Sequence, residues 1–338
     1  MTKSILKNTC LFVYTSPGPF VINDRTYLSR YCTIVEYHFQ LSKSVFALTW
    51  RLLHFSKFLL FNMHKINFVF TWFADYHSPI LALFSKLYRK PVYSVIGGYE
   101  VESLPQFGYG GIKNPFRKMA IQYSLNRATL LLPVSDYSKK RTMKLINHNR
   151  IETIYNGIQI RHNPKQKQTE ENVFLTVAQI EREQNLYIKG IPRFFQMARA
   201  FPQNTFILVG GSRDLIQSFL GEIPPNVQLF EATSSDELDL HYQNAKYYVQ
   251  LSEVESFGVA VLEALSWGNI PIVSNRGALP EIYGHIGIVI DIDEFDTELE
   301  NLPLRLKIDY DYKKMQQFVS RFDITHRHQK LSELLFKG

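Results

Sequence analysis

The chain has 338 residues, 45% of them hydrophobic and 20% charged, an ordinary globular composition long enough for one large domain or two. It has no run of about 18 uncharged apolar residues, so no transmembrane helix is expected, and the opening "MTKSILKNTCLFVYTS" has no small-residue cleavage site, so no signal peptide is expected. The net charge of +7 is unevenly spread: residues 1–160 hold 20 Lys/Arg against 7 Asp/Glu, and residues 161–338 hold 18 against 24.

A basic front half suits nucleic acid, anionic lipid or a phosphorylated substrate, with an ordinary solvated surface as the plain alternative. Cys10 and Cys32 lack metal or redox spacing and read as core thiols of a reducing, cytoplasmic compartment.

Along the chain, "CLFVYTS", "NFVFTWF", "PVYSVIGG" and "TLLLPVS" are short apolar runs that end at turn residues, as buried parallel strands do. Helical stretches lie between them at Ser44–Phe61, Pro79–Arg89 and Pro115–Arg127. The polar "RHNPKQKQTEEN", residues 161–172, reads as a linker. The rhythm then restarts with "VFLTVA", "TFILVGG", "VQLF", "YYVQLS", "IPIVS" and "IGIVID". Two such runs predict two doubly wound α/β domains facing a cleft. The expected division is 1–165, 166–318 and a C-terminal helical segment, 319–338, packing back on the first domain.

The chemistry concentrates in "ESFGVAVLEALSWGNIPIV", residues 255–273. The loop leaving the "YYVQLS" strand carries Glu255, and a helix is expected to start at Gly258. A helix N-terminus at the carboxyl end of a sheet offers free N–H groups and a positive dipole end, suited to phosphate. The Ser256–Phe257–Gly258 backbone is the candidate phosphate contact, with glycine permitting close approach. Glu263 lies about a turn and a half further on, where a carboxylate can accept two ribose hydroxyls. A solvated loop glutamate and a helix-surface charge are the plain alternatives for the two residues taken singly.

Glu255, seven residues, Glu263, then "LSWGNIPIV" and "GALPEI" resemble the nucleotide-sugar signature of retaining GT-B glycosyltransferases of family 4, also known as glycosyl transferases group 1. The resemblance is strongest over residues 173–290. It implies a GT-B fold with two Rossmann-like domains. It also implies transfer of a sugar from a nucleotide-diphosphate donor to a hydroxyl of a glycan or lipid-linked acceptor, in polysaccharide or glycolipid synthesis (an EC 2.4 reaction). "IKGIPRFF" resembles the family's Lys-Gly segment, so Lys189 is implied as a diphosphate clamp. The companion arginine has no clean match: Gln179 occupies its place, and Arg182 is the candidate substitute. Gly210 and Gly211 in "LVGG" resemble the turn flanking the nucleotide, and Gly18 in "TSPGPF" is a candidate to line the cleft, turn formation being the alternative.

Many relatives carry a histidine where this chain has Gly97, so the acceptor side stays unassigned. His77, at the end of "WFADYH", is a candidate polar contact, and Asp75 or Ser78 a candidate helix cap. No Asp-x-Asp or His/Cys cluster of ligand spacing occurs, so no cofactor and no metal are expected. Basic residues among the aromatics of residues 42–66 suggest a peripheral anionic membrane contact at the inner face, a core helix being the alternative, and no nucleic-acid motif accompanies them. A non-catalytic nucleotide-sugar-binding or scaffold subunit of a glycan-assembly complex is the competing function, and a nucleotide sensor or epimerase on the same fold ranks behind it.

Overall fold

The computed structural model describes residues 8–147, 149–160, 173–231, 234–307 and 310–336; the expected linker at 161–172 lies outside them. The chain divides into two compact units: one runs to Tyr155 and takes in the end of the chain from His328, and the other is Asn156–Arg327. The division thus falls ahead of the expected 165/166. The final segment forms two helices, Tyr312–Ser320 and Ile324–Phe336. In the first unit His328 stacks on Tyr27 at 4.0 Å and Phe336 on Tyr31 at 5.3 Å.

The first unit holds strands β1 (Thr9–Tyr14), β2 (Thr33–His38), β3 (Phe68–Trp72), β4 (Val92–Ile96) and β5 (Leu130–Pro133). They form one sheet in the order β2-β1-β3-β4-β5, with every pair parallel. β3 is buried at every position, as its apolar run predicts. β2 was absent from the predicted strands: its "TIVEYH" is half-exposed at the sheet edge and carries Glu36 and His38, so it lacks the continuous apolar signature. The core packs Leu11, Val13 and Val69 of the sheet against Phe55 and Leu59 of the helix Val45–Asn62.

The second unit holds β6 (Val173–Val177), β7 (Thr205–Val209), β8 (Val227–Phe230), β9 (Tyr247–Gln250), β10 (Ile270–Ser274) and β11 (Ile288–Ile290). The order is β11-β10-β9-β6-β7-β8, again all parallel. Phe174 stacks against Phe206 and Tyr247 across the sheet, each at 4.8 Å.

Both orders reverse direction once. In the first unit the reversal lies between β1 and β3, in the second between β6 and β9. Open α/β sheets bind ligands outside the carboxyl ends of the strands at that point. The loops after β1, β3, β6 and β9 are therefore where the chemistry of each unit belongs.

Candidate functional site

In the second unit the loop after β9 runs into the helix Val259–Ser266, with Gly258 as its N-cap at φ 82°. This is a left-handed conformation natural to glycine. A Cβ there would also come within 2.9 Å of Leu279. The first-turn N–H groups of Val259 and Ala260 lack intrahelical acceptors by geometry, so they point outward from the helix end.

Lys189 and Glu255 are brought together as an ion pair, Lys189 Nζ donating to Glu255 Oε1. The same oxygen accepts from Gln250 Nε2 at 3.2 Å and Ser252 Oγ at 3.5 Å. Gln250 is itself tied to Tyr248, whose hydroxyl lies 3.2 Å from Gln250 Oε1. Burial pushes that Tyr248 hydroxyl far up from its ordinary value, so it remains a neutral donor at physiological pH. Glu255 is thus a positioned carboxylate with one oxygen shared among three donors.

Lys189 reaches this carboxylate because Gly190 lets the chain close on the β9 loop. Gly190 sits at φ 71°, and a Cβ there would lie 2.0 Å from the Leu251 carbonyl. Glu253 N donates to the Ile188 carbonyl at 2.9 Å, and Arg193 pairs with Glu253 at 2.6 Å. On the other side Gly277, at φ 63°, would place a Cβ 2.1 Å from the Glu255 carbonyl, while Ala278 N donates to that oxygen at 2.7 Å. Glu255 is therefore held at its backbone as well as its side chain.

Glu263 is half-buried on the helix and accepts from Tyr242 Oη at 3.2 Å. Arg182 is exposed as the N-cap of Glu183–Ile188, where its backbone N–H donates to Asn185 Oδ1 at 3.1 Å. Among the described residues no ion pair engages its guanidinium. Ser256 is half-buried in the loop. The Phe257 ring is buried edge-on to Phe322 at 5.7 Å, which leaves only its backbone to face a ligand.

Gly210 and Gly211, at φ 99° and 119°, press on the loop after β6: Cβ atoms there would lie 2.2 Å from the Ala178 carbonyl and 2.8 Å from Ile180. Their observed contacts are thus with the chain itself. Gly18 belongs to the other unit; it is the N-cap of Pro19–Leu28, and the Phe20 ring lies over it. Gln250, Ser252, Tyr242, Gly190 and Gly277 went unassigned in the sequence, although Gly190 and Gly277 stand inside the quoted "IKG" and "GALPEI" segments.

At the carboxyl edge of the first unit's sheet the expectations change. His77 is fully buried, stacked on Phe39 at 4.8 Å with Phe55 at 5.9 Å, and neither ring nitrogen has a hydrogen-bond partner. Desolvation, helped by nearby Arg117, pushes its pKa down to about 3. It is a neutral core residue and makes no contact with solvent, so the polar-contact reading is corrected. Asp75 caps no helix: its carboxylate pairs with Arg117, whose Nη1 also donates to Tyr99 Oη at 3.2 Å. Ser78 Oγ accepts from Asp75 N at 2.8 Å. Glu100 closes the turn after β4 by accepting from Gly97 N and Gly98 N, each at 2.9 Å, and burial raises its pKa to about 7.

The same unit carries an unusual outer face. On the helix Val45–Asn62, Phe46 is 83% exposed, Trp50 67% and Leu53 61%, with Leu60 and Phe61 continuing the stripe. Leu83 and Leu87 are exposed on the neighbouring helix Ser78–Leu87. Asp75 is the single acidic residue from 37 to 99, and it is buried. Among the described residues no helix is long and apolar enough to cross a membrane.

Two parallel sheets of these orders, one with a lysine–carboxylate pair at the end of a helix, define a two-domain GT-B architecture. Solved structures agree: Anabaena HepE in complex with UDP superposes with a TM-score of 0.72 at 16% identity, covering 98% of this chain and all (100%) of that one. Sucrose-phosphate synthase from Thermosynechococcus elongatus gives 0.76 at 15%, covering 98% of each chain. Residues 158–299 match the family model described as "Glycosyl transferases group 1". The GDP-mannose:cellobiosyl-diphosphopolyprenol alpha-mannosyltransferase of Xanthomonas oryzae pv. oryzae is 30% identical over 138 residues, 37% of this chain and 36% of that protein. The Escherichia coli O-antigen chain mannosyltransferase B is 24% identical over 202 residues, 54% of this chain and 52% of its own length. The alignments thus span between a third and about half of these two relatives. The Xanthomonas campestris protein of the first name is 25% identical over 293 residues, 78% of this chain and 70% of that protein.

Proposed function

We propose that the protein is a glycosyltransferase that moves a sugar from a nucleotide-diphosphate donor to a hydroxyl of a glycan or lipid-linked acceptor, with retention at the anomeric carbon. The observation that carries this reading is the Lys189–Glu255 pair held beside the N-terminus of Val259–Ser266. The two charges suit the two parts of such a donor. As the glycosidic bond breaks, negative charge builds on the leaving diphosphate, and Lys189 with the first-turn N–H groups stabilises it. Arg182, exposed after β6, adds a second cation. Glu255 then accepts hydroxyls of the donor sugar, and Glu263 accepts those of the ribose. No residue is assigned as a nucleophile, and no metal is given a role. The relatives' names make GDP-mannose the first donor to test, with UDP-sugars next.

The outer face of the first unit supports a location at the cytoplasmic surface of an anionic membrane. An apolar stripe flanked by Lys43, Arg51, Lys57, Lys65 and Lys86, without exposed carboxylates between them, matches an anionic lipid surface in both polarity and charge. A lipid-linked acceptor would be met there.

Calorimetric titration with GDP, UDP and ADP tests the site. One nucleotide should bind, and Lys189→Ala and Glu263→Ala should each weaken it by about 1–3 kcal/mol. Binding that ignores both substitutions would remove the assignment. Cosedimentation with vesicles containing anionic phosphatidylglycerol tests the surface. Trp50→Ser with Phe46→Ser should abolish it, and equal pelleting with neutral vesicles would refute the charge argument.

A further inference from the structure

Phe73 follows β3 directly and has φ 64°. A bulky residue in the left-handed region is a true outlier, and such strain persists where the surroundings impose it, often at ligand sites. Its position is the point where the strand order of the first unit reverses. The conformation lays the ring over Gly97, where a Cβ would lie 2.2 Å from Phe73 Cε1. Any side chain at position 97 would therefore displace the ring.

The neighbouring loop repeats the arrangement. The Phe20 ring, from the first turn of the helix Pro19–Leu28 that follows β1, lies over Gly18, where a Cβ would come within 2.9 Å of its Cζ. Phe20 and Phe73 meet edge to face at 6.1 Å, and Phe20 also packs on buried Trp72 at 5.0 Å. Both rings are half-buried, so each keeps a surface open to solvent. Two glycines thus make room for two aromatic rings at the ligand-binding edge of one sheet. Three residues after Phe73 and two after Gly97, Tyr76 and Tyr99, also half-buried, flank the Arg117 guanidinium at 5.8 and 5.1 Å.

We infer that Phe20 and Phe73 form a sugar-binding platform that takes the apolar C–H face of a pyranose ring, with the Tyr76 and Tyr99 hydroxyls at its polar margin. Pockets for small polar ligands combine this kind of aromatic surface with a few fixed polar groups. Charged ligands gain little, because Asp75 already neutralises Arg117. The platform rests on the geometry of the first unit alone; its use for an acceptor sugar rests on the transferase reading.

Saturation-transfer NMR on the full chain, irradiating aromatic protons, tests it with methyl α-D-mannopyranoside and methyl α-D-glucopyranoside. Transfer to the ring C–H protons is expected. Phe73→Gly suits the left-handed backbone and removes the ring, so the fold should persist while affinity falls about threefold to tenfold. Phe73→Tyr keeps the ring and should keep the signal. GDP and UDP titrations on the same samples separate the two proposals. Unchanged transfer in folded Phe73→Gly, or no transfer in the wild type with either glycoside, overturns the platform whatever the nucleotides do. Glycoside signals that depend on Phe73 in a protein that binds no nucleotide would uphold the platform and sink the transferase reading.

Discussion

The carboxyl edges of the two sheets solve the same problem differently. In the second unit, glycines draw backbone onto backbone: Gly190 on Leu251, Gly277 on Glu255, Gly210 on Ala178. The charges they deliver, Lys189 and Glu255, remain partly open, at 29% and 15% side-chain exposure. In the first unit the glycines make room for rings, and its charges are tied to each other, Asp75 buried at 3% and paired with the half-buried Arg117. One edge keeps charge available to a ligand; the other spends it on holding its own loops. Substitutions of the charged residues should therefore cost stability at the first unit's edge and binding at the second's.

The sharpest way to break this comparison is Asp75→Ala. It strands the Arg117 guanidinium in a half-buried setting, and the expected loss is at most about 3–5 kcal/mol, the cost of breaking a fully buried pair. Adding Arg117→Met should recover much of it, because the cost lies in the unpaired charge. Denaturant unfolding of both variants decides the matter. A loss under about 1 kcal/mol would mean the pair behaves as a surface bridge.

Next in size is Gly190→Ala, whose Cβ meets the Leu251 carbonyl while the backbone keeps φ 71°. About 2–4 kcal/mol of lost stability is expected from the strained conformation and the overlap together. A left-handed alanine free of overlap costs about 1–2 kcal/mol, so a loss no larger than that would show that close packing at Gly190 contributes nothing.

Acid titration probes the first edge again. The pKa of His77 is lowered to about 3 in the folded chain, from an ordinary 6.5. Its neutral form therefore stabilises the fold fully above pH 6.5, and that contribution is lost as pH falls towards 3. Replacing it by leucine removes the loss. The stability of His77→Leu relative to wild type should rise by about 2 kcal/mol between pH 6.5 and 4.5. Glu100 works in the opposite sense: its pKa is raised from 4.5 to about 7, so its contribution is full below pH 4.5 and fades as pH rises through 7. Comparing the variant with wild type at each pH cancels that background. A difference that stays flat with pH would place water or a partner at the His77 ring.

How much of this was legible follows from the distance over which each feature is built. Ten of the eleven strands stand in the sequence as apolar runs, because parallel strands buried on both faces need continuous apolar side chains. β2 did not, being a half-exposed edge strand that carries Glu36 and His38. Glu255, Glu263, Lys189 and the Gly258 cap were legible because one strand–loop–helix unit and one Lys-Gly turn carry them. The Asp75–Arg117 pair joins residues 42 positions apart, and nothing local in either segment announces it. His77 reads as a polar loop residue until Phe39 and Phe55 are folded around it. Position 97 could be marked as a glycine in an unusual place, but its cause, the Phe73 ring, appears only in three dimensions.

The smallest expected effect bears most directly on the open edge. Glu255 pairs with Lys189, so a nucleoside diphosphate bound as proposed would displace that carboxylate to reach the cation. Glu255→Gln keeps the shape and can still accept from Gln250 and Ser252, but it releases the lysine. A partly exposed pair of this kind is worth about 0.2–1 kcal/mol. Free GDP or UDP should therefore bind the variant up to about fivefold more tightly. The matching nucleotide sugar should bind it more weakly, because hydroxyl bonds to a charged acceptor are lost, at about 1.5–3 kcal/mol each. Opposite signs for the two ligands in one variant are what a carboxylate shared between lysine and sugar requires. If both ligands weaken together, Glu255 instead supports the phosphate-binding loop; if both tighten, the sugar lies elsewhere.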